Sequence, residues 1–371
     1  MTSAVVVGAG VLGASLARRL AGEGWEVTLV EQEEPGHAAA ASGDHTRLLR
    51  CAHGDDQDYS RLARRARDGW RTLERETGTQ LYLEAGVAWL ARHADGWEAA
   101  AEGALRRLGI PCERADAAAL FPAVRTDDLA FTLLETEAGV LRAARATRAL
   151  ADAAVARGAR LVRARARPDR ARVTFDAREL EADHVVWACG PWLAGLFGEL
   201  IALRVTKQDV VYLRAPPAWR TPPMPVFVDY AASFYGHGDV AGSGLKAASD
   251  LPGPPFDPDD GLRVADPEAE AAARAQLRHR FGAKLAGASL REARVCQYEL
   301  TPDSHLIAAP HPEHPGVWLL GGGSGHGFKH GPALADDFAT VLRGEAAPDP
   351  RFALGPRASR SGGPRATPAG H

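Results

Sequence analysis

The chain has 371 residues, more than one hydrophobic core usually supports, so its length predicts two domains or one domain with a large insertion. Its 44 basic and 47 acidic residues give a formal net charge of −3, which argues against nucleic acid or a membrane surface as a partner. The four cysteines have no C-x-x-C spacing, and the chain shows neither a signal peptide nor an apolar stretch that is long enough to span a bilayer. Composition therefore predicts a cytoplasmic enzyme without structural zinc or disulfides.

The first 31 residues form a complete βαβ pattern. A valine-rich strand leads into a Gly-x-Gly-x-x-Gly turn at Gly8, Gly10 and Gly13, and a helix and a second strand ending at Glu31 follow. Gly8 turns the chain, Gly10 lets the backbone approach a pyrophosphate, and Gly13 lets the helix pack on the strand. The carboxylate of Glu31 is placed to accept hydrogen bonds from ribose hydroxyls. The pattern predicts a dinucleotide-binding site.

Helices and strands alternate along most of the remaining chain. Hydrophobic periodicity predicts helices at about residues 59–76, 97–108, 144–155, 267–281 and 332–342. It predicts strands at residues 86–90, 160–162, 173–175 and 317–320, and another from 184 to a Gly-Pro turn at 190. We expect the strand at 173–175 to pair with that at 160–162, and the arginine-rich run between them to be a solvated face. The proline-rich stretch after residue 212 predicts short strands and loops.

A second glycine-rich loop, residues 321–327, lies between the last predicted strand and helix. One glycine-rich loop that lets the backbone approach the cofactor closely is enough for NAD. Two such loops favour FAD, whose ribityl chain and ring are held by elements late in the chain. The predicted fold class is α/β. A Rossmann-like FAD-binding domain (1–83, 140–206 and 299–345) is interleaved with an α+β substrate domain on a mainly antiparallel sheet (84–139 and 207–298). Residues 346–371, rich in Arg, Ser, Gly and Pro, are expected to form a disordered tail.

Six segments, in collinear order over residues 1 to about 345, resemble one protein family. They are Gly8 to Gly13 with Glu31, Thr46-Arg47-Leu48-Leu49-Arg50, Ala188-Cys189-Gly190-Pro191-Trp192, Gly244-Leu245-Lys246, Cys296-Gln297-Tyr298, and Gly323-Ser324-Gly325-His326-Gly327-Phe328-Lys329. The chain is similar to the monomeric sarcosine oxidase and N-methyl amino acid oxidase family of D-amino-acid-oxidase-like flavoproteins. The resemblance implies a monomeric enzyme that oxidises the C–N bond of a secondary amino acid, N-methyl or cyclic, or of a related amine, to the imine. It implies FAD as cofactor and reduction of O2 to H2O2.

The resemblance also implies roles for single residues. It identifies Cys296 as the covalent attachment point of FAD, through a thioether to the flavin 8α-methyl group. It identifies Arg50 and Lys329 as the pair that binds the substrate carboxylate, which pins the reacting carbon over the flavin. Lys246 is the implied oxygen-activating cation. Thr46 and Arg47 are implied near the flavin ring, and Arg47 is also implied to be catalytic. At the substrate the implied residues are Tyr235, Tyr298, Asp250 and His326, of which His326 is also implied to be catalytic. The implied cofactor contacts in the late loop are Gly323, Gly325, Gly327 and Phe328.

Three positions depart from the family pattern. Asp250 replaces a histidine of the members that accept sarcosine, and His53 and His330 replace a tyrosine and a phenylalanine. If these side chains face the pocket they make it more polar, so the sequence favours a larger polar amine or a cyclic imino acid over sarcosine. The alternatives are a flavin dehydrogenase or primary amino acid oxidase of the same superfamily, an NAD-dependent dehydrogenase and a non-catalytic flavin-binding protein. Histidine spacing matches no zinc pattern, so no metal site is expected.

Overall fold

The computed structural model of the chain describes residues 1–358. Its α-helices are α1 Val11–Gly22, α2 Gln57–Thr77, α3 Trp97–Arg107, α4 Ala117–Leu120, α5 Ala143–Ala156, α6 Leu193–Phe197, α7 Pro267–Phe281, α8 Ala283–Ala286 and α9 Gly331–Leu342. Its strands are β1 Ser3–Val7, β2 Glu26–Glu31, β3 Arg47–Leu49, β4 Tyr82–Glu84, β5 Val87–Ala91, β6 Cys112–Arg114, β7 Phe131–Glu135, β8 Gly139–Leu141, β9 Arg160–Arg163, β10 Arg167–Asp169, β11 Arg172–Phe175, β12 Arg178–Leu180, β13 His184–Trp187, β14 Arg204–Leu213, β15 Val226–Asp229, β16 Phe234–His237, β17 Leu245–Ser249, β18 Leu290–Leu300, β19 Ile307–Pro310 and β20 Val317–Gly321.

The first sheet has six strands in the order β19-β20-β13-β1-β2-β9. All neighbours are parallel except β19, which runs antiparallel to β20. The apolar runs of β1 and β13 are buried on both faces, as parallel strands require. Helices α1, α5 and α9 cover one face, and a small β10-β11-β12 sheet and α6 contribute to the core on the other. This is the expected Rossmann-like layer.

The second large sheet has eight strands in the order β18-β14-β17-β16-β15-β5-β7-β6. Every neighbouring pair is antiparallel except β15 and β5. Residues of α7 and α8 share a buried apolar cluster with this sheet, which includes Phe227, Leu245 and Leu277. The predicted α/β class with a mainly antiparallel second sheet is confirmed. A three-stranded sheet, β3-β8-β4, carries the segment that leads to Arg50.

Two local expectations were wrong. Strand β11 pairs with β10 and β12, not with residues 160–163, because β9 instead extends the parallel sheet beside β2. Within the expected disordered tail, Pro350–Phe352 forms a 3-10 turn, and the Arg357 guanidinium donates to Asp303 and to the His305 carbonyl, so side-chain contacts order this part. Residues 359–371 of that tail lie outside the described residues. Among residues 1–358, no helix is long and apolar enough to cross a membrane.

Candidate active site

The turn after β1 has the geometry that the glycine pattern requires. Gly8 has φ +100°, and a Cβ there would lie 2.5 Å from the Ala188 carbonyl oxygen. A Cβ at Gly13 would lie 2.0 Å from the Gly8 carbonyl oxygen, so helix α1 packs on the turn only with glycine at this position. The N-terminus of α1 therefore faces the carboxyl ends of the strands, where backbone N–H groups favour a phosphate.

A cavity of about 810 Å³ runs along this edge of the six-stranded sheet, and we call it the dinucleotide cavity. Gly8, Gly10, Glu31 and the turn at residues 188–192 line it. Glu31 accepts a hydrogen bond from the Ala9 amide at 2.7 Å, which fixes the carboxylate beside the turn. The Gly-rich cradle, the acid after β2 and the size of the cavity fit the adenosine and pyrophosphate parts of FAD.

Glu299, in strand β18, lines the same cavity and was not anticipated from the sequence. Its Oε1 accepts a hydrogen bond from the Gly323 amide at 3.1 Å, while its Oε2 has no hydrogen-bond partner among the described residues. Burial raises the pKa of this carboxyl to about 7. A lone acid beside the Cys296-Gln297-Tyr298 motif was the available signal, but only the fold shows that it lines the dinucleotide cavity.

A second, smaller cavity of about 80 Å³ is lined by all of the predicted catalytic and substrate-binding residues, and we call it the cationic cavity. Predicted residues that line it are Arg47, Arg50, Tyr235, Lys246, Asp250, Cys296, Tyr298, Gly325, His326, Phe328 and Lys329. They come from β3, from β16 and β17, from β18 and from the loop before α9. Thr46 is not among the described residues that line it, and its hydroxyl is 2.8 Å from His237 Nε2. Gly323 and Gly327 pack against each other at the base of the loop.

Lys246 is fully buried and forms an ion pair with Asp44, with Nζ 2.7 Å from Oδ2. Arg47 donates to the same carboxylate, and the Tyr212 hydroxyl donates to its other oxygen at 2.9 Å. Burial opposes ionisation of Asp44, but Lys246 and Arg47 outweigh it and hold the pKa of Asp44 well below its usual range. Burial lowers the pKa of Lys246, and Asp44 opposes that change. The sequence had indicated the lysine but not its anionic partner.

Cys296 lies in β18 where the strand passes the cationic cavity. Arg47 donates from Nη2 to the Cys296 sulfur at 2.7 Å. The residues of the two cavities fit FAD as the bound group.

Arg50 and Lys329 are two buried cations on one wall of the cationic cavity. The Arg50 guanidinium lies 5.3 Å from the centre of the Trp89 ring and donates to the Ala52 carbonyl. Lys329 donates from Nζ to the His326 carbonyl at 2.8 Å. Burial lowers the pKa of both groups, and the charge of Arg50 lowers the pKa of Lys329 further. An anionic ligand would relieve this repulsion, so the pair is suited to bind a carboxylate.

Asp250 places a carboxyl group in the same cavity as the two cations. Its Oδ1 accepts a hydrogen bond from the Tyr298 hydroxyl at 3.0 Å. Burial raises the pKa of Asp250 to about 6, although Arg50 and the Tyr298 hydroxyl favour its ionised form. Arg50, Lys329 and Asp250 together offer two cations and one acid, the complement of a ligand with one carboxylate and one ammonium group.

Glu135 is a buried acid that the sequence analysis missed. It accepts hydrogen bonds from the Cys51 amide at 2.7 Å and the Ala52 amide at 3.2 Å, and from the Trp89 indole at 2.8 Å. It therefore fixes both the backbone after Arg50 and the ring beneath the guanidinium. An acid at the end of the apolar run in β7 was the signal available in the sequence.

His53 and His330 are not among the described residues that line the cationic cavity, unlike Asp250. Both are buried, with ring centres 5.6 and 5.4 Å from that of Tyr59. Ligand nitrogens of His53, His326 and His330 lie within 4.8 Å of one another, a grouping that sequence spacing did not reveal. The neighbouring charges of Lys329 and Arg50 oppose a metal ion there. The polarity of the cavity is changed by Asp250 rather than by the two histidines.

Comparison with known proteins places this arrangement among flavoproteins. Residues 3–340 match the protein-family model described as FAD dependent oxidoreductase. Monomeric sarcosine oxidase of Bacillus sp. (strain B-0618) is 30% identical over 346 residues, 88% of each chain. N-methyl-L-tryptophan oxidase of Salmonella typhimurium is 26% identical over 371 residues, 95% of this chain and 96% of the relative. The crystal structure of L-proline dehydrogenase from P. horikoshii superposes with a TM-score of 0.81 at 19% identity, covering 93% of this chain and 94% of that one.

Proposed function

This chain belongs to the FAD dependent oxidoreductase family, and we propose that it oxidises the C–N bond of a secondary amino acid or related amine to the imine. The observation that carries the proposal is the cationic cavity, where Arg50, Lys329 and Asp250 meet beside Cys296. The names of two similar enzymes, sarcosine oxidase and N-methyl-L-tryptophan oxidase, describe secondary amino acid substrates and support this substrate class.

The two cations and the acid orient the substrate. Arg50 and Lys329 bind its carboxylate, and the Asp250 carboxylate accepts a hydrogen bond from its amine. This three-point hold fixes the α-carbon relative to the cavity wall, which lowers the entropic part of the barrier. Bound FAD supplies the acceptor for the hydride that leaves that carbon.

Asp250 is also the proposed acceptor of a proton from the substrate amine. The amine must lose its proton before its C–H bond can yield a hydride, since a positive nitrogen withdraws the electrons that the hydride carries away. A carboxylate with a pKa of about 6 is poised to accept that proton near neutral pH. The Tyr298 hydroxyl, which donates to Oδ1, keeps the acid oriented toward the cavity.

We further propose that Cys296 attaches FAD covalently, because its sulfur lies at the cavity and receives a hydrogen bond from Arg47. Treating the purified protein with acid should leave the yellow colour in the precipitate. Complete release of the colour to the supernatant would refute the linkage. We also propose that the chain divides into an FAD domain and a substrate domain at the boundaries given above. We propose that the protein is monomeric and cytoplasmic.

Two candidate functions, an oxidase and a dehydrogenase, differ in the electron acceptor. Lys246 supports O2, since a fixed positive charge stabilises a superoxide-like state. Its ion pair with Asp44 favours the second candidate, a flavin dehydrogenase, because the aspartate offsets part of that charge.

One screen tests both. The purified enzyme is mixed with N-methyl, cyclic and primary amino acids, and peroxide and flavin absorbance are followed. Peroxide with secondary amino acids is the expected result. Anaerobic bleaching without peroxide in air indicates the dehydrogenase, and absence of bleaching with every compound refutes the enzymatic proposal.

A further inference from the structure

Strand β18 separates the two cavities. Cys296 and Tyr298 line the cationic cavity, whereas Glu299 lines the dinucleotide cavity, because successive side chains of a strand point to opposite faces. Glu299 is 7% exposed. Nothing described above as substrate or catalytic machinery contacts its Oε2.

The two carboxyl oxygens of Glu299 lie between the ends of two neighbouring parallel strands. Oε1 accepts from the amide of Gly323, which follows β20. A Cβ at Gly190, which follows β13, would lie 3.1 Å from Oε2. The carboxyl group thus sits at the sheet edge where open α/β sheets bind their ligands.

Strands β2, β1, β13 and β20 are neighbours in this order, so successive parts of a dinucleotide bound along this edge lie beside these strands in the same order. Glu31, for the adenosine ribose, is the last residue of β2, and the phosphate turn at Gly8 follows β1. The next positions along the edge, after β13 and β20, are those flanking Glu299. Beyond them lies Cys296, at the flavin ring. The part of FAD between its phosphates and its ring is the ribityl chain, which carries hydroxyl groups.

We propose that Glu299 holds the ribityl chain of FAD by accepting a hydrogen bond from one of its hydroxyls through Oε2. The inference rests on FAD as cofactor. Within the described part of the chain no donor satisfies this oxygen, and a buried carboxyl oxygen without a donor is unfavourable. Glu299 is a positioning residue: it directs the chain from the phosphate turn toward Cys296.

The test measures binding rather than turnover, so its outcome is independent of the substrate proposed above. In a Cys296→Ala background, which makes FAD reversible, affinities for FAD and for ADP are compared in the parent, in Glu299→Gln and in Glu299→Leu. Glu292→Gln is the matched control, since Glu292 is in the same strand but does not line the dinucleotide cavity. We expect a loss of FAD affinity of about 10-fold for the glutamine and about 100-fold for the leucine variant, with ADP affinity unchanged.

FAD analogues that lack the 2′-, 3′- or 4′-hydroxyl complete a double-mutant cycle. If Glu299 binds one of these hydroxyls, removing that hydroxyl weakens binding to the parent but not to Glu299→Leu. Three results overturn the proposal: unchanged FAD affinity in both variants, equal losses for ADP and FAD, or fully additive losses for all three analogues. If Glu299→Leu does not fold, as judged by its melting transition, Glu299→Ala supplies the same cycle.

Discussion

Replacing Asp44 by asparagine tests the buried charge network most directly. The substitution keeps the shape of the side chain but removes the charge that Lys246 and Arg47 share. At an effective dielectric constant of about 20, opposite unit charges about 4 Å apart attract by about 4 kcal/mol. Removal of one partner of a buried ion pair destabilises a protein by about 3–5 kcal/mol. We therefore expect the free energy of unfolding of Asp44→Asn to fall by that amount near neutral pH.

The loss should depend on pH in a defined direction. Burial already lowers the pKa of Lys246, and loss of Asp44 lowers it further, because Asp44 is its stabilising anion. As pH rises above this lowered pKa, the folded variant releases a proton that the unfolded chain still binds, so stability relative to the parent recovers. This recovery takes place between the pKa of Lys246 in the variant and its pKa in the parent, which burial already holds below the ordinary value of 10.5.

Urea denaturation of parent and variant at several pH values between about 6 and 9 measures the effect. Glu33→Gln is the control, since the Arg163–Glu33 pair has similar geometry, at 2.8 Å, but its side chains are 63% and 46% exposed. Its loss should stay below about 1 kcal/mol. The reasoning fails if Asp44→Asn is no more destabilising than this control, or if its deficit is constant across the pH range.

Three further predictions concern the cationic cavity. Arg50→Met should raise KM by about 10- to 100-fold and retain bound flavin, because one contact with the substrate carboxylate is lost. Steady-state kinetics with the best amine of the screen measures this KM. An unchanged KM shows that Arg50 does not bind the substrate. The flavin of Lys246→Met should be reduced normally by substrate but reoxidised by O2 about 100-fold more slowly. In the same stopped-flow experiments the control Lys284→Met, at an exposed position, should match the parent. Normal reoxidation of Lys246→Met contradicts a role of Lys246 in oxygen activation. The kcat/KM of the parent should rise with pH through about 6 as Asp250 ionises, and Asp250→Asn should lose this limb; a limb that persists in the variant assigns it to another group.

The elements that sequence could predict are those specified by local pattern. Helix α7 begins and ends where its proline and its acidic and basic ends indicate, and α2 follows the spacing of Leu62, Trp70 and Leu73. The family of the chain and its oxidoreductase chemistry also follow from short motifs. The pairing of β11 could not be predicted, because β9, β10 and β12 all lie near it in sequence and the local pattern does not choose among them.

Partners that are distant in sequence had no local signal. Asp44 and Lys246 are 202 residues apart, and Glu135 is 84 residues from the amide of Cys51 that it binds. Glu299 binds Gly323 from another strand. Such acids are chosen by the tertiary fold, where a buried cation or amide needs an acceptor. The motif residues of the cationic cavity were therefore indicated by sequence, whereas the anions that fix them in place were not. The roles of the individual residues and the covalent link through Cys296 remain predictions.

The position of strand β18 between two cavities has a consequence for changing this enzyme. Insertion or deletion of one residue before Cys296 would exchange the faces of the strand, removing Cys296 and Tyr298 from one cavity and Glu299 from the other. Strand β18 is therefore a poor place to vary substrate preference, because length changes there alter cofactor retention at the same time. Ser249, which ends β17, and Asp250, which follows it, line only the cationic cavity of the two, so libraries aimed at new amines belong at these positions.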